Sequence, residues 1–167
     1  GRKFGEVAVT ILATKFKKIK FETHESVGYG EIHLPEENLQ TEAYWVDLPM
    51  DLVAGLEERD LGGALYGLAT ALGSVVPVYV LCDPKDLRTV PQVRSPFSGL
   101  PALFVFDNYP GGIGIASKVY DMDSIIWQAA DELLTHCGCK SGCPSCIGPP
   151  LEVGDAGKRI AQSLVGK

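Results

Sequence analysis

Four cysteines fall within ten residues near the carboxyl end of the 167-residue chain, in the run Cys137-Gly138-Cys139-Lys140-Ser141-Gly142-Cys143-Pro144-Ser145-Cys146. Their spacing, C-x-C-x3-C-x2-C, is that of a metal-binding knuckle. Zn²⁺ takes four ligands in a tetrahedron, and thiolate suits its borderline-soft character. A loop this short meets that demand only if its backbone turns sharply between ligands. Gly138 and Gly142 permit such turns, and Pro144 stiffens the chain between the last two sulfurs. With Cys137, Cys139, Cys143 and Cys146 all bound, the ion keeps no open position for water, so the expected cofactor is a structural Zn²⁺ and not a catalytic one. His136, Lys140 and Lys158 are placed to soften the negative charge of four thiolates. Iron or an iron–sulfur cluster, and disulfides, are the competing uses of such a cysteine set. A redox dithiol at Cys143 and Cys146 would leave Cys137 and Cys139 unexplained.

The second feature with chemical potential is Asp107-Asn108-Tyr109-Pro110-Gly111-Gly112-Ile113-Gly114. A glycine-rich helix start can hold phosphate on its backbone N–H groups. Here no Lys-Ser/Thr follows the glycines, so the run matches neither the P-loop nor the dinucleotide fingerprint. The simpler reading is a tight strand-to-helix turn, with Asp107 free to cap the helix or to reach a partner. A small enzyme using this turn as a phosphate site is the third and weakest functional reading. Asp83 and Asp86 look like a turn pair, Cys82 like a small buried residue, and His24, His33 and His136 form no ligand pattern. No catalytic site is identified in the chain.

These residues must be positioned by ordinary elements. Alternation over Glu6–Ile11 and Lys18–Thr23 predicts half-buried strands, with further strands over Gly30–Leu34 and Thr41–Leu48 separated by Pro35-Glu36-Glu37-Asn38. Ala64, Leu65, Leu68, Ala69, Leu72, Val75 and Val76 recur at helical spacing after a cap at Asp60, and Pro77 should end or kink that helix. Its glycines, Gly62, Gly63, Gly67 and Gly73, imply compensating close packing. The proline-rich stretch from Cys82 to Leu100 reads as loop. Pro101–Asp107 reads as a buried strand, and helical spacing resumes from Ile115 to Leu133, with Asp121 or Asp123 capping a second segment. A last helix starts near Asp155. The expected fold is α+β: a small antiparallel sheet followed by helices, one further buried strand and the four-cysteine zinc loop.

Composition sets the outer limits. The formal net charge of −6 argues against a free-standing nucleic-acid binder. Its distribution is uneven: residues 1–20 carry a net +5 and residues 21–60 a net −10. No apolar run reaches the length of a membrane span, because Ala64–Leu81 is interrupted by Gly67, Thr70, Gly73, Ser74 and Pro77. The chain opens Gly1-Arg2-Lys3 without methionine, as a segment of a longer protein would, and shows no secretory signal; a cytoplasmic location is expected.

Pro77, Cys82-Asp83-Pro84-Lys85-Asp86-Leu87, Phe106-Asp107-Asn108-Tyr109-Pro110-Gly111-Gly112-Ile113-Gly114 and the loop ending Gly142-Cys143-Pro144-Ser145-Cys146 occur here in that order. This series resembles the C-terminal zinc-binding domain of the mitomycin repair factor A helicases, a superfamily 2 group, over roughly residues 40–167. Thr70 or a neighbour stands where many members carry a histidine. The resemblance implies a basic β segment (1–40) leading into a helicase-associated zinc-binding domain (41–167), the two forming one compact unit. It also implies that Cys137, Cys139, Cys143 and Cys146 are the metal ligands. The parent would be an ATP-dependent 3′-to-5′ DNA helicase acting in DNA repair, its ATP site lying in helicase lobes that this chain lacks. The implied partners are those lobes, in the same polypeptide, and DNA through the full-length protein; no membrane partner is expected. The alternative reading is a zinc-stabilised protein-interaction module with no DNA role.

Overall fold

The computed structural model describes residues 1–13, 15–19 and 26–165. The first half forms four strands: β1 (Arg2–Ile11), β2 (Lys15–Ile19), β3 (Ser26–Glu31) and β4 (Glu37–Asp47). The short helix α1 (Met50–Val53) leads into α2 (Glu58–Val80), a 23-residue helix that runs through the middle of the fold. A single 3₁₀ turn (Pro84–Asp86) precedes β5 (Leu87–Gln92) and β6 (Ala102–Asp107). The remainder is helical: α3 (Ile115–Asp121), α4 (Asp123–His136), α5 (Pro150–Val153) and α6 (Gly157–Val165). The architecture is α+β, as expected.

The main sheet is antiparallel, in the order β1-β4-β6-β5, and β2 pairs with β3 in a separate two-stranded ribbon. The buried strand expected at Pro101–Asp107 therefore lies inside the same sheet as the N-terminal strands. Every residue of β6 is buried. Leu103 and Val105, with Tyr44 and Val46 of β4, face the helices. Phe104 and Phe106, with Ala43, Trp45, Val7 and Val9, form a smaller apolar layer on the opposite face. There Phe97 packs against Trp45 and Phe104, at ring-centroid distances of 5.6 and 6.0 Å. A strand buried on both faces is a continuous apolar run, which is how Ala102–Phe106 reads.

Several expectations need correcting. Pro77 does not end α2; the helix continues to Val80 and closes on Leu81, which is left-handed at φ 59°. Val75, Val76, Pro77 and Val80 are all buried, so tertiary packing holds this last turn against the local cost of proline. Asp60 is not the cap; Glu57 occupies that position and Asp60 lies in the first turn, where a carboxylate still favours the positive end of the helix dipole. Cys82–Leu100 is not all loop, because it contains β5. Pro91 sits in that strand opposite Leu103, and β5 is an edge of the sheet, the one place where a strand tolerates a residue without N–H. The strand expected at Gly30–Leu34 lies earlier, at Ser26–Glu31, and β4 already starts at Glu37. Of the Lys18–Thr23 alternation, residues 20–23 lie outside the described residues, as does His24.

Contrary to the expectation from its interruptions, α2 is long and apolar enough to cross a membrane by length and composition alone. It is instead the central core helix, with Leu65, Leu68, Ala71, Leu72 and Val76 at 0–1% exposure.

Candidate metal centre

The cysteine loop links α4 to the C-terminal helices and rests on α2. Helix α4 ends where the His136 ring nitrogen Nδ1 meets the carbonyl of Glu132 at 2.9 Å, and Cys137 follows in extended geometry. The carbonyl of Cys143 then accepts N–H bonds from Cys146 and Gly148, both at 3.0 Å, which curls the second half of the loop into a turn. Gly142 makes this possible. Its φ is +127°, and a Cβ there would come within 2.8 Å of the Gly148 carbonyl oxygen. Gly138, expected to play the same part, has open space around it and no positive φ, so its lack of a side chain is not required.

All four sulfurs lie within 4.8 Å of one another. Four edges measure 3.5–3.6 Å: Cys137 to Cys139, Cys137 to Cys143, Cys139 to Cys146 and Cys143 to Cys146. A flat ring with such edges would have diagonals of about 5 Å, so the sulfurs are puckered toward a tetrahedron. Four thiolates at about 2.3 Å from one Zn²⁺ would sit about 3.8 Å apart, close to what is seen. A disulfide needs about 2.05 Å, and all five cysteines are free thiols. A cluster of several irons would hold its thiolates further apart than one shared ion does. The donor set thus fits a single tetrahedral ion.

Of the three basic residues expected near the loop, only Lys158 reaches it. Its ammonium donates to the carbonyls of Cys137 (2.6 Å) and Cys139 (2.7 Å) and to Cys139 Sγ (3.3 Å), and the residue is 5% exposed. His136 and Lys140 are exposed. Burial disfavours a charge on Cys139, yet hydrogen bonds from Cys146, Cys137 and Lys158 outweigh it and bring that thiol down to about 7. Burial pushes Cys146, the innermost of the four, up to about 12. Cys146 and Ile147 are fully buried against the core, and Ile147 lies against Gly67 of α2. The glycines of α2 do mark close packing: a Cβ on Gly63 would lie 2.2 Å from the Val153 carbonyl oxygen.

The glycine turn before α3 is a strand-to-helix junction already filled by the protein. Asp107 is fully buried; its carboxylate accepts the N–H groups of Ile113 (2.6 Å), Ile115 (3.1 Å) and Ala116 (2.7 Å). A phosphate would compete with that carboxylate for the same donors, which overturns the phosphate-site reading. Asp83 forms the expected turn by accepting from the Lys85 N–H, while Asp86 accepts from the Tyr109 hydroxyl. Cys82 is half-buried, and burial raises its pKa.

One polar cluster has no local signature in the sequence. Asp123, expected as a cap, is the first residue of α4, and its carboxylate faces inward. It accepts from the Tyr44 hydroxyl and pairs with Arg2, while Trp127 Nε1 donates to Tyr44 Oη at 2.8 Å. The cluster joins β1, β4 and the start of the helix that ends at the cysteine loop.

Comparison with known proteins places these features in context. Residues 68–147 match the family described as the MrfA Zn-binding domain. The uncharacterized ATP-dependent helicase YprA of Bacillus subtilis (strain 168) is 45% identical over 161 residues, 96% of this chain and 21% of that protein. A crystal structure of the DUF1998 helicase MrfA bound to DNA superposes with a TM-score of 0.78 at 43% identity, covering 99% of this chain and 22% of that one. The same helicase bound to DNA and AMPPNP gives a TM-score of 0.65 at 40% identity, over 100% of this chain and 22% of that one. The chain therefore spans about a fifth of the length of the helicases it matches.

Proposed function

We propose that this chain is the zinc-pinned accessory domain of a longer ATP-dependent DNA helicase, a reading supported by the match of residues 68–147 to the MrfA Zn-binding domain and by the likeness to helicases. Cys137, Cys139, Cys143 and Cys146 are the proposed ligands of one Zn²⁺. When bound, the ion supplies a closed cross-link with no coordination site left for a substrate. The chain's own residues do the rest. Ile147 and Val153 seat the loop on α2, and Lys158 holds α6 against it. The observation that carries the reading is the convergence of four sulfurs within 4.8 Å inside a segment aligned with helicases over nearly its whole length.

In this reading residues 1–40 and 41–167 act as one unit, because six of the ten residue pairs between β1 and β4 cross that boundary. The unit packs on the helicase lobes of the same polypeptide and helps guide the DNA strand during 3′-to-5′ translocation in DNA repair, in the cytoplasm. In this reading ATP hydrolysis belongs to the lobes. The likeness to helicases supports this context over a free-standing interaction module.

Elemental analysis of the full-length protein, purified without chelator, tests the reading. One zinc per chain is expected, lost in Cys143→Ser, with duplex unwinding weakened in step. A folded wild-type protein with reduced cysteines and no bound metal would sink the proposal.

A further inference from the structure

We propose that Lys158 is the built-in counter-charge of the four-cysteine centre, slowing release of its ion and shielding the Cys139 thiolate. The inference rests on the zinc reading above and concerns a residue that is not itself a ligand.

An ammonium has three N–H donors and no acceptor. Lys158 aims three hydrogen bonds at the cysteine loop: two at the carbonyls that flank Gly138 and one at Cys139 Sγ. Among the described residues the ion pairs are Arg2–Asp123 and Lys3–Asp47, and no described carboxylate pairs with this buried cation. A buried charge without a counter-charge is strongly unfavourable. The available anion is the sulfur set. Four thiolates around a divalent ion carry a net charge of about −2; one ammonium at 3.3 Å from a sulfur offsets part of it. A pair of disulfides would be neutral and would leave Lys158 uncompensated, so the buried lysine favours a metal–thiolate centre over disulfides.

The contacts do two separable things. The bonds to the Cys137 and Cys139 carbonyls fix the C-x-C turn in its ligand-presenting shape, as partners outside the ligand set commonly do. The N–H···S bond draws electron density from Cys139, which makes that sulfur a poorer nucleophile and a poorer target for oxidants. Lys158 is thus a positioning residue for the metal centre. Its place in the first turn of α6 ties the ion's retention to the docking of that helix.

The zinc-loaded protein and its Lys158→Met and Lys158→Arg variants would be challenged with a chromogenic zinc chelator. Lys158→Met keeps the aliphatic stem without the charge and should release zinc about 10–100-fold faster; Lys158→Arg should stay nearer the wild type. In the cobalt-substituted protein, Lys158→Met should shift the sulfur-to-cobalt charge-transfer band to longer wavelength, a change that loss of packing alone does not produce. Wild-type release kinetics and an unmoved band in Lys158→Met would overturn the inference and leave the zinc site standing. A wild-type protein that takes up neither metal would remove both. If Lys158→Met does not fold even in excess zinc, the wild type decides: iodoacetamide should reach Cys139 of the loaded protein after Cys143, and the reverse order would refute the shielding.

Discussion

At the scale of single residues, three buried polar groups are matched by partners within the chain, whereas Trp45 Nε1 is buried without one. Asp107 absorbs three helix-start N–H groups, and Lys158 spends three bonds on the cysteine loop. Tyr44 is the third case. Burial and the Asp123 carboxylate both keep its hydroxyl protonated, so its pKa lies above the ordinary value of 10.0. In the unfolded chain the phenol ionises near 10; in the fold it retains its proton. The unfolded state then binds fewer protons than the native one, and stability falls as pH rises above about 10, by about 1.4 kcal/mol per pH unit from this group. Below 10 the contribution is intact. Tyr44→Phe should therefore flatten the alkaline limb of a stability–pH profile measured by denaturant titration. At neutral pH it should cost about 1–3 kcal/mol, because Asp123 and Trp127 lose their shared partner. An alkaline limb as steep in the variant as in the wild type would exclude Tyr44 as its source.

At the scale of elements, α2 organises the fold, and its glycines are not equivalent. A Cβ on Gly62 would make an ordinary contact 3.7 Å from Val93, whereas one on Gly63 would collide with backbone. Gly62→Ala should stabilise the protein by about 0.5–1 kcal/mol through helix propensity. Gly63→Ala should destabilise it by about 1–3 kcal/mol by displacing Val153 and the turn after the cysteines. Thermal unfolding of the pair in excess zinc would separate them, and similar midpoints would refute the close-packing argument. The alternation in β1, the apolar run of β6, the helical spacing of α2 and the cysteine loop were legible because each is a local pattern. β5 was hidden because Pro84, Pro91 and Pro96 signal loop, and only sheet order reveals that Pro91 occupies an edge. The continuation of α2 past Pro77 was hidden because packing, not propensity, decides it. The Tyr44–Asp123 contact joins residues 79 apart and leaves no periodic trace.

At the scale of the whole molecule, the cysteine loop fastens α4 and α6 to the central helix, while the sheet is held by its own ladders and by aromatic packing. Stripping the metal with a chelator should open the two regions unequally. Amide exchange should speed up first in residues 137–165, while β4 and β6 keep most of their protection. Uniform loss of protection across the chain would mean that the ion supports the sheet as well. The spacing of the four sulfurs has a kinetic and a thermodynamic consequence. They span ten consecutive residues, so closing the loop costs little chain entropy and need not wait for strands as distant as β1 and β4 to meet. An emerging or denatured chain can capture the ion before its tertiary structure exists. Because the denatured state then also binds metal, added zinc raises the melting temperature by less than the native affinity alone would give.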